Sequence, residues 1–391
     1  MNDALYIECG WQSVNHVGEQ LCGDNVNIVD VNDNSRVMVL ADGLGSGVKA
    51  NILSTLTAKM MSEMLAGNVH LTDCVDTVIS TLPVCRERGV AYSTFSIAQM
   101  WDDGLIRVFN FDNPKPFIIH NGMAFLPNYE TMEISGRKID FCSYEADEND
   151  CLFMMSDGTI NAGAGEILNY GWQLPQIMEF MEGMYQPAVS AKALATILVD
   201  RCNILYNNKP GDDTTAAVVR IRKHHAAALM VGPASNREDD ERMVKDFLKE
   251  EGTHIVCGGT TAKVVSKVTE KDIEIVTLDG DDSGIPPISR IEGIDLVTEG
   301  MITLHRVYEY AEDWLGQNKS YFDWNYRIDG ASLLATELLE KATDITFYVG
   351  CAVNPAHQED DSLGFKLKLQ LIDNLAAILK KMDKEVKVRY F

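Results

Sequence analysis

Five aspartates in four short turns are the residues of this chain best suited to do chemistry: Gly23-Asp24-Asn25, Ala41-Asp42-Gly43, Ser156-Asp157-Gly158 and Gly211-Asp212-Asp213-Thr214-Thr215. A tight turn presents the carboxylate it carries, and hard divalent ions such as Mg2+ and Mn2+ take oxygen ligands while keeping several waters. If separate strands deliver these turns to one place, they form a two-metal hydrolase centre. A single Asp-Gly is a common solvated turn dipeptide, so the information lies in the ordered set.

The elements that must position the turns are legible beside them. Arg36-Val37-Met38-Val39-Leu40 and Cys151-Leu152-Phe153-Met154-Met155 are apolar runs, each followed within a residue or two by Asp-Gly, the pattern of a buried strand ending in exposed acid. After Asp42, the stretch Leu44-Gly45-Ser46-Gly47 permits close backbone approach. A helical pattern through Ile52, Leu53, Leu56, Met60, Met61 and Leu65 follows, with Gly67 as its stop. At the last turn the order is reversed: Asp212 and Asp213 precede the strand pattern Ala216-Ala217-Val218-Val219-Arg220-Ile221.

In this order, Asp-Gly-x-Gly-x-Gly before a helix, Ser-Asp-Gly after an apolar strand and Gly-Asp-Asp-x-Thr before a final strand, the set resembles the metal-dependent Ser/Thr protein phosphatases (type 2C). Within them it resembles the bacterial branch typified by the phosphatase domain of the stage II sporulation protein E. The resemblance covers residues 1 to 222 approximately and implies an α-β-β-α sandwich that hydrolyses phosphoserine or phosphothreonine through a water bridging two Mn2+ or Mg2+ ions. Carried across by motif, Asp42 would bridge the ions, the Gly43 carbonyl would complete one site, and Asp157 and Asp212 would bind the other ion. Asp24 matches the family's early acidic residue, which orients water on the ions. Asp213 stands where many relatives have Asn, and its role stays open. The implied catalytic set is thus Asp24, Asp42, Asp157 and Asp212, and the implied metal set adds Gly43 and Asp213.

Two positions depart from the pattern. Eukaryotic relatives often place His after the first Asp-Gly as a proton donor, where this chain has Leu44. They also hold phosphate with an N-terminal Arg, where the segment before Asp24 offers His16, Glu19 and Gln20. These departures keep two other readings open: a phosphatase-fold signalling scaffold with weak or lost catalysis, and a metal phosphohydrolase of small molecules.

Cysteine-based dephosphorylation is excluded by spacing, because none of the nine cysteines has Arg six residues later. No Cys-x-x-Cys pair exists either, and the odd, scattered count reads as reduced thiols in apolar segments. No His-Glu-x-x-His pattern occurs, and His224-His225 reads as a linker feature. A net charge of -24 disfavours sequence-independent nucleic-acid binding, which depends on Lys and Arg neutralising phosphates, and no nucleic-acid partner is expected. Met1-Asn2-Asp3-Ala4 opens no leader pattern, and no apolar run is long enough to span a bilayer, so a cytoplasmic protein without membrane insertion is expected.

The expected fold class is α+β in two domains. Residues 1–224 form the phosphatase-like domain, and residues 225–391 a smaller α/β domain with a largely parallel sheet and a regulatory or partner-binding use. In the second part the patterns predict strands at 226–231, 254–257, 273–276, 293–297 and 345–349. Helices are predicted at 237–250, from Thr261, and at 301–316, 330–343 and 364–382. Gly258-Gly259-Thr260-Thr261-Ala262-Lys263 reads as a Gly-rich connection with a threonine helix cap, Gly280-Asp281-Asp282-Ser283-Gly284 as a solvated loop, and Arg237 to Arg242 as the charged first turns of a helix. The expected partners are a phosphoserine or phosphothreonine protein as substrate and, left open, a regulatory protein or a second copy of the chain.

Overall fold

The computed structural model describes residues 5–32, 34–81, 93–276, 288–352 and 361–391. They have mixed α and β content and divide into two compact units, Met1–Lys223 and His224–Phe391. The Met1–Ala4 segment and the Gly280–Gly284 loop lie outside the described residues.

The strands of the first unit are β1 (Tyr6–Val14), β2 (Asp24–Asn32), β3 (Ser35–Gly43), β4 (Ser93–Trp101), β5 (Leu105–Phe111), β6 (Phe117–His120), β7 (Met123–Phe125), β8 (Glu130–Ile134), β9 (Arg137–Glu145), β10 (Cys151–Met155) and β11 (Thr214–Arg222). Its helices are α1 (Gly47–Ala66), α2 (Leu71–Thr81), α3 (Asp157–Ile160), α4 (Leu174–Met184) and α5 (Ala191–Leu205). The strands form two antiparallel sheets, ordered β1-β11-β10-β6-β7 and β2-β3-β4-β5-β9-β8.

Alternation along β3 explains the layering. Met38 and Leu40 face one way and join Ala98, Val108, Leu152, Met154, Ala217 and Val219 in a core drawn from both sheets. Val37, Val39 and Ala41 face the other way, into a core closed by Leu53, Met61 and Leu65 of α1 and Val75 of α2. On the far side, α5 lies against β1 and β11. There a Cβ on Gly10 would stand 2.1 Å from the Lys192 main-chain nitrogen, so β1 needs glycine at that crossing. Each fully buried side chain such as Met38 or Met154 contributes about 1.5–3 kcal/mol to holding these layers together.

Helix α1 ends at Gly67, whose N–H bonds the Glu63 carbonyl. Its helical pattern is borne out, with Ile52 and Leu56 52% and 47% exposed and Ala50, Ser54, Thr57, Ala58 and Ser62 buried with Leu53 and Met61. Small and hydroxyl residues share that face with Leu53, Met61 and Leu65, and Thr57 satisfies its hydroxyl on the Leu53 carbonyl.

The second unit contains β12 (Ala226–Val231), α6 (Asp240–Phe247), β13 (Thr253–Cys257), α7 (Gly259–Thr269), β14 (Glu274–Val276), β15 (Ile288–Arg290), β16 (Leu296–Thr298), α8 (Met301–Leu315), α9 (Tyr321–Trp324), α10 (Gly330–Ala335), β17 (Asp344–Val349), α11 (Asp361–Lys381) and β18 (Glu385–Tyr390). The sheet order is β14-β15-β16-β13-β12-β17-β18. Pairing is parallel from β16 through β18 and antiparallel at the β14–β15–β16 edge. No helix among the described residues is long and apolar enough to cross a membrane.

Several second-unit boundaries depart from the sequence pattern for local reasons. The strand read at 293–297 lies at Leu296–Thr298, because Gly293 takes φ +87° in the turn that returns the Ile294 N–H to Ile291. The helix read over 330–343 changes pitch at Thr336, continuing to Lys341 as a wider π-helical stretch. The helix read over 237–250 opens as a tighter turn, Arg237–Asp239, before α6. Helix α7 starts two residues earlier than read. Gly258, at φ +105°, takes the N-cap, and the Thr261 hydroxyl instead donates to Cys257 and accepts the Gly232 N–H. The strands β15 and β18 had no corresponding sequence reading.

Candidate acidic site

Register brings the acids together. In the β2–β3 hairpin Asp24 stands opposite Asp42, and the Gly43 N–H bonds the Gly23 carbonyl at 3.1 Å just beyond them. In the other sheet Met155 pairs with Ala216. The ladder continues as Ser156 N–H to the Thr215 carbonyl (3.0 Å) and Thr215 N–H to Ser156 Oγ (2.8 Å). That lock sets Asp157, at the start of α3, beside the Asp212–Asp213 turn. A Cβ on Gly158 would sit 2.2 Å from the Asp213 carbonyl oxygen. Gly158 is therefore required by the closeness of the two turns.

The loop after Asp42 turns through Gly45 at φ +95° and Gly47 at φ +71°, conformations that favour glycine. A Cβ on Gly43 would lie 2.2 Å from the Ala50 carbonyl, so the start of α1 rests directly on the Asp42–Gly43 peptide. Ser93 Oγ donates to the Asp42 carbonyl at 2.9 Å, fixing that main chain from β4. Asn51 of α1 donates to the Cys22 carbonyl at 2.8 Å and ties the helix to the strand entering Asp24.

Charge dominates the site's physics. Asp24 and Asp213 are 4% and 3% exposed, and both carboxylate oxygens of Asp24 and Oδ2 of Asp213 are enclosed without a hydrogen-bond partner. Burial pushes Asp24 well above the ordinary carboxylate range. The nearby Ser156 and Thr215 hydroxyls oppose this without completing hydrogen bonds to it, and Asp213 and Asp157 add to it. Burial, then Asp24 and Asp157, raise Asp42 further, with Asp157 close enough to share a hydrogen bond. Burial and Asp157 lift Asp212 to about 6, against a smaller opposing effect of His16. Enclosed, unpartnered carboxylate oxygens raised by one another fit a site for divalent cations, and the all-oxygen donor set suits hard ions.

All the residues predicted from sequence, Asp24, Asp42, Gly43, Asp157, Asp212 and Asp213, lie in these facing turns. His16, singled out only as a departure from the phosphatase pattern, is tied in through its main chain, its N–H donating to Asp213 Oδ1 at 3.0 Å. A second acidic group had no sequence reading. His120, Asp147 and Asp150 bring ligand-type atoms within 4.8 Å of one another, close enough to hold an ion. It lies at the other end of β10, roughly 20 Å of extended chain from Asp157. Its ring is already met by a carboxylate: His120 Nδ1 is 2.9 Å from Asp150 Oδ1, and the Tyr144 hydroxyl donates to Asp150 Oδ2 at 2.7 Å. No local spacing motif joins His120 to Asp147 and Asp150, so nothing in the sequence flagged the group.

Residues 32–222 match the family model described as Stage II sporulation protein E (SpoIIE). Two curated relatives carry the name Stage II sporulation protein E. The one from Priestia megaterium is 22% identical over 171 residues, covering 43% of this chain and 29% of the relative. The one from Bacillus subtilis (strain 168) is 21% identical over 208 residues, covering 52% and 24%. The matches thus span less than a third of either relative. Among solved structures, the PP2C phosphatase domain with a fragment of the regulatory domain of SpoIIE from Bacillus subtilis aligns with TM-score 0.48 at 20% identity, covering 56% of this chain and 64% of that one. The catalytic domain of the serine threonine protein phosphatase PstP in complex with 2 manganese ions aligns with TM-score 0.39 at 11% identity, covering 56% and 100%.

The first unit therefore resembles the type 2C protein phosphatases as a class. Within that class its resemblance is to the phosphatase domain of the stage II sporulation protein E.

The raised acids make metal-free stability depend on pH. A carboxyl whose folded pKa lies above its ordinary value near 3.8 stabilises the fold fully below that value, and this contribution is lost as pH climbs through about 6 for Asp212 and higher for Asp24 and Asp42. In chelator, the melting temperature is expected to fall by several degrees between pH 5 and pH 8, and Asp42→Asn to flatten that fall. Thermal melts across this range check it; a metal-free melting temperature that rises over the interval contradicts the assignment of charge.

Proposed function

We propose that this protein is a metal-dependent phosphoprotein phosphatase acting on phosphoserine or phosphothreonine, with its centre formed by Asp24, Asp42, Gly43, Asp157, Asp212 and Asp213. The observation that carries the reading is the enclosed, unpartnered carboxylate of Asp24 facing Asp42 and influenced by Asp157 and Asp213. Such an arrangement is costly unless cations compensate it. The family match over residues 32–222 supports the reaction class.

In this reading Asp42, Asp157 and Asp212 would hold two Mn2+ or Mg2+ ions, with the Gly43 carbonyl as a further oxygen donor, and Asp24 would orient the attacking water. When bound, the ions supply positive charge that activates water and neutralises the phosphoryl group during in-line displacement. The chain's own contribution is rigidity. The Gly43–Gly23 main-chain bond, the Ser93–Asp42 bond and the Ser156–Thr215 lock hold the carboxylates in place before substrate arrives. Leu44 brings no proton-transferring group, so protonation of the leaving oxygen falls to water or to another residue.

The second unit, with its own parallel sheet and core, is assigned a regulatory or partner-binding use. Met243, Val244 and Phe247 of α6 and Val265 of α7 pack into a core with Ala228 and Met230 of its sheet.

Purified full-length protein is expected to release phosphate from a phosphothreonine peptide with Mn2+ or Mg2+ and not in chelator. Asp42→Asn should reduce turnover by at least about 100-fold, the scale for losing one preorganised charged group; undiminished turnover in that variant would refute the centre. Residues 1–224 alone should retain turnover at a rate or metal affinity different from the full chain. Identical kinetics, measured side by side, would remove the regulatory role.

A further inference from the structure

We propose that the second unit binds a small organic anion, an aliphatic carboxylate or monophosphate, in the cavity between α8 and α11. Its charged group sits on Arg306 and its apolar body lies against Met301, Ile302, Leu367 and Leu371. The site gives this unit, assigned above only a regulatory or partner-binding use, a chemical class of ligand. It does not depend on the reaction carried out by the first unit.

Helices α8 and α11 pack against each other, and each buries a stripe in the core of the second unit: Leu304, Val307 and Ala311 on one, Ile372, Leu375 and Leu379 on the other. Beside those stripes, Met301, Ile302, Leu367 and Leu371 line a cavity of about 650 Å3 between the helices. Small-molecule sites span roughly 300–1,000 Å3. Ile302 and Leu367, one from each helix, are 66% and 53% exposed. Large aliphatic side chains that face one cavity from both helices leave apolar area for a ligand of the same character to cover.

The polar lining favours an anion. Helix α8 contributes His305, Arg306 and Glu309, and α11 the neutral amides of Gln370 and Asn374, so two basic residues face one acid in a chain of net charge -24. Glu309 lies 3.6 Å from both His305 Nδ1 and Arg306 Nε, close enough for ion pairs and too far for hydrogen bonds. The two terminal nitrogens of Arg306 are without a hydrogen-bond partner among the described residues, and the paired donors of a guanidinium match a carboxylate or a phosphate. The start of α8 adds the same sign. Gly300 supplies no side-chain cap to this 15-residue helix, whose first turn, carrying Met301 and Ile302, is its positive end. An inorganic anion would leave the aliphatic walls wet, and a neutral hydrocarbon would leave the guanidinium unserved.

The test is calorimetry on the full-length protein with octanoate, octyl phosphate, octan-1-ol and acetate, in chelator so that no cation at the acidic centre recruits the anion. Octanoate or octyl phosphate should fill one saturable site, and the tighter of the two names the head group. Octan-1-ol and acetate, each lacking one half of the ligand, should bind more weakly by about ten-fold or more, the scale of one hydrogen bond to a charged group. Arg306→Gln should weaken octanoate by a similar factor and leave octan-1-ol unchanged. Leu367→Asp, a change at an exposed position with folding checked by thermal melt, should weaken octanoate and octan-1-ol together. The absence of saturable binding by either anion overturns the inference. So does an octanoate affinity that Arg306→Gln or Leu367→Asp leaves unchanged, which would place the ligand elsewhere, and so does equal affinity for octan-1-ol, which would remove the role of charge.

Discussion

Carboxylates repel one another, and enclosing several at one end of a protein raises their free energy unless protons or cations share the space. The rest of the first unit is arranged around that repulsion. Asp24 and Asp42 cannot separate without breaking the β2–β3 ladder, and Asp157 cannot leave Asp212 and Asp213 without breaking the lock between Ser156 and Thr215. Two sheets, each rigid for its own reasons, hold like charges at close quarters. A protonated centre relieves the repulsion at low pH, and in the proposed reading divalent ions would relieve it at neutral pH.

The rigidity is supplied by apolar burial on both faces of β3. Met38 and Leu40 anchor it to the partner sheet, Val37 and Val39 to the helices, and the strand then runs straight into Asp42. Glycine makes the last few ångströms possible. Gly43 admits the Ala50 carbonyl and Gly158 admits the Asp213 carbonyl, so main chain meets main chain where side chains would hold the turns apart. Gly43 and Gly158 thus serve packing beside the acids they accompany.

Much of this was legible in the sequence because its signals are local. Apolar runs such as Cys151–Met155 announce buried strands, and Asp-Gly turns at their ends announce where acids emerge. What stayed hidden depends on distance. The pairing of Asp24 with Asp42 is a matter of hairpin register, and the joining of Asp157 to Asp212 depends on a strand more than fifty residues away. The helix α1 was legible from Ile52, Leu53 and Leu56, but not which side it buries: Ala50, Ser54 and Ala58 face the core while Ile52 and Leu56 face solvent, against a simple hydrophobic pattern. His16 was visible only as an absence of arginine, since its tie to the site runs through main chain. The His120 group lay beyond reach because its members come from different strand ends with no spacing rule between them.

The central claim, that cations take the place of protons among these aspartates, is tested most directly by titrating Mn2+ into the metal-free protein near pH 7 by calorimetry in two buffers of different ionisation enthalpy. The account predicts that binding releases protons from the centre, seen as a heat that changes with buffer, and that Asp42→Asn reduces the release. Binding with the same heat in both buffers, or no binding at all, would contradict it.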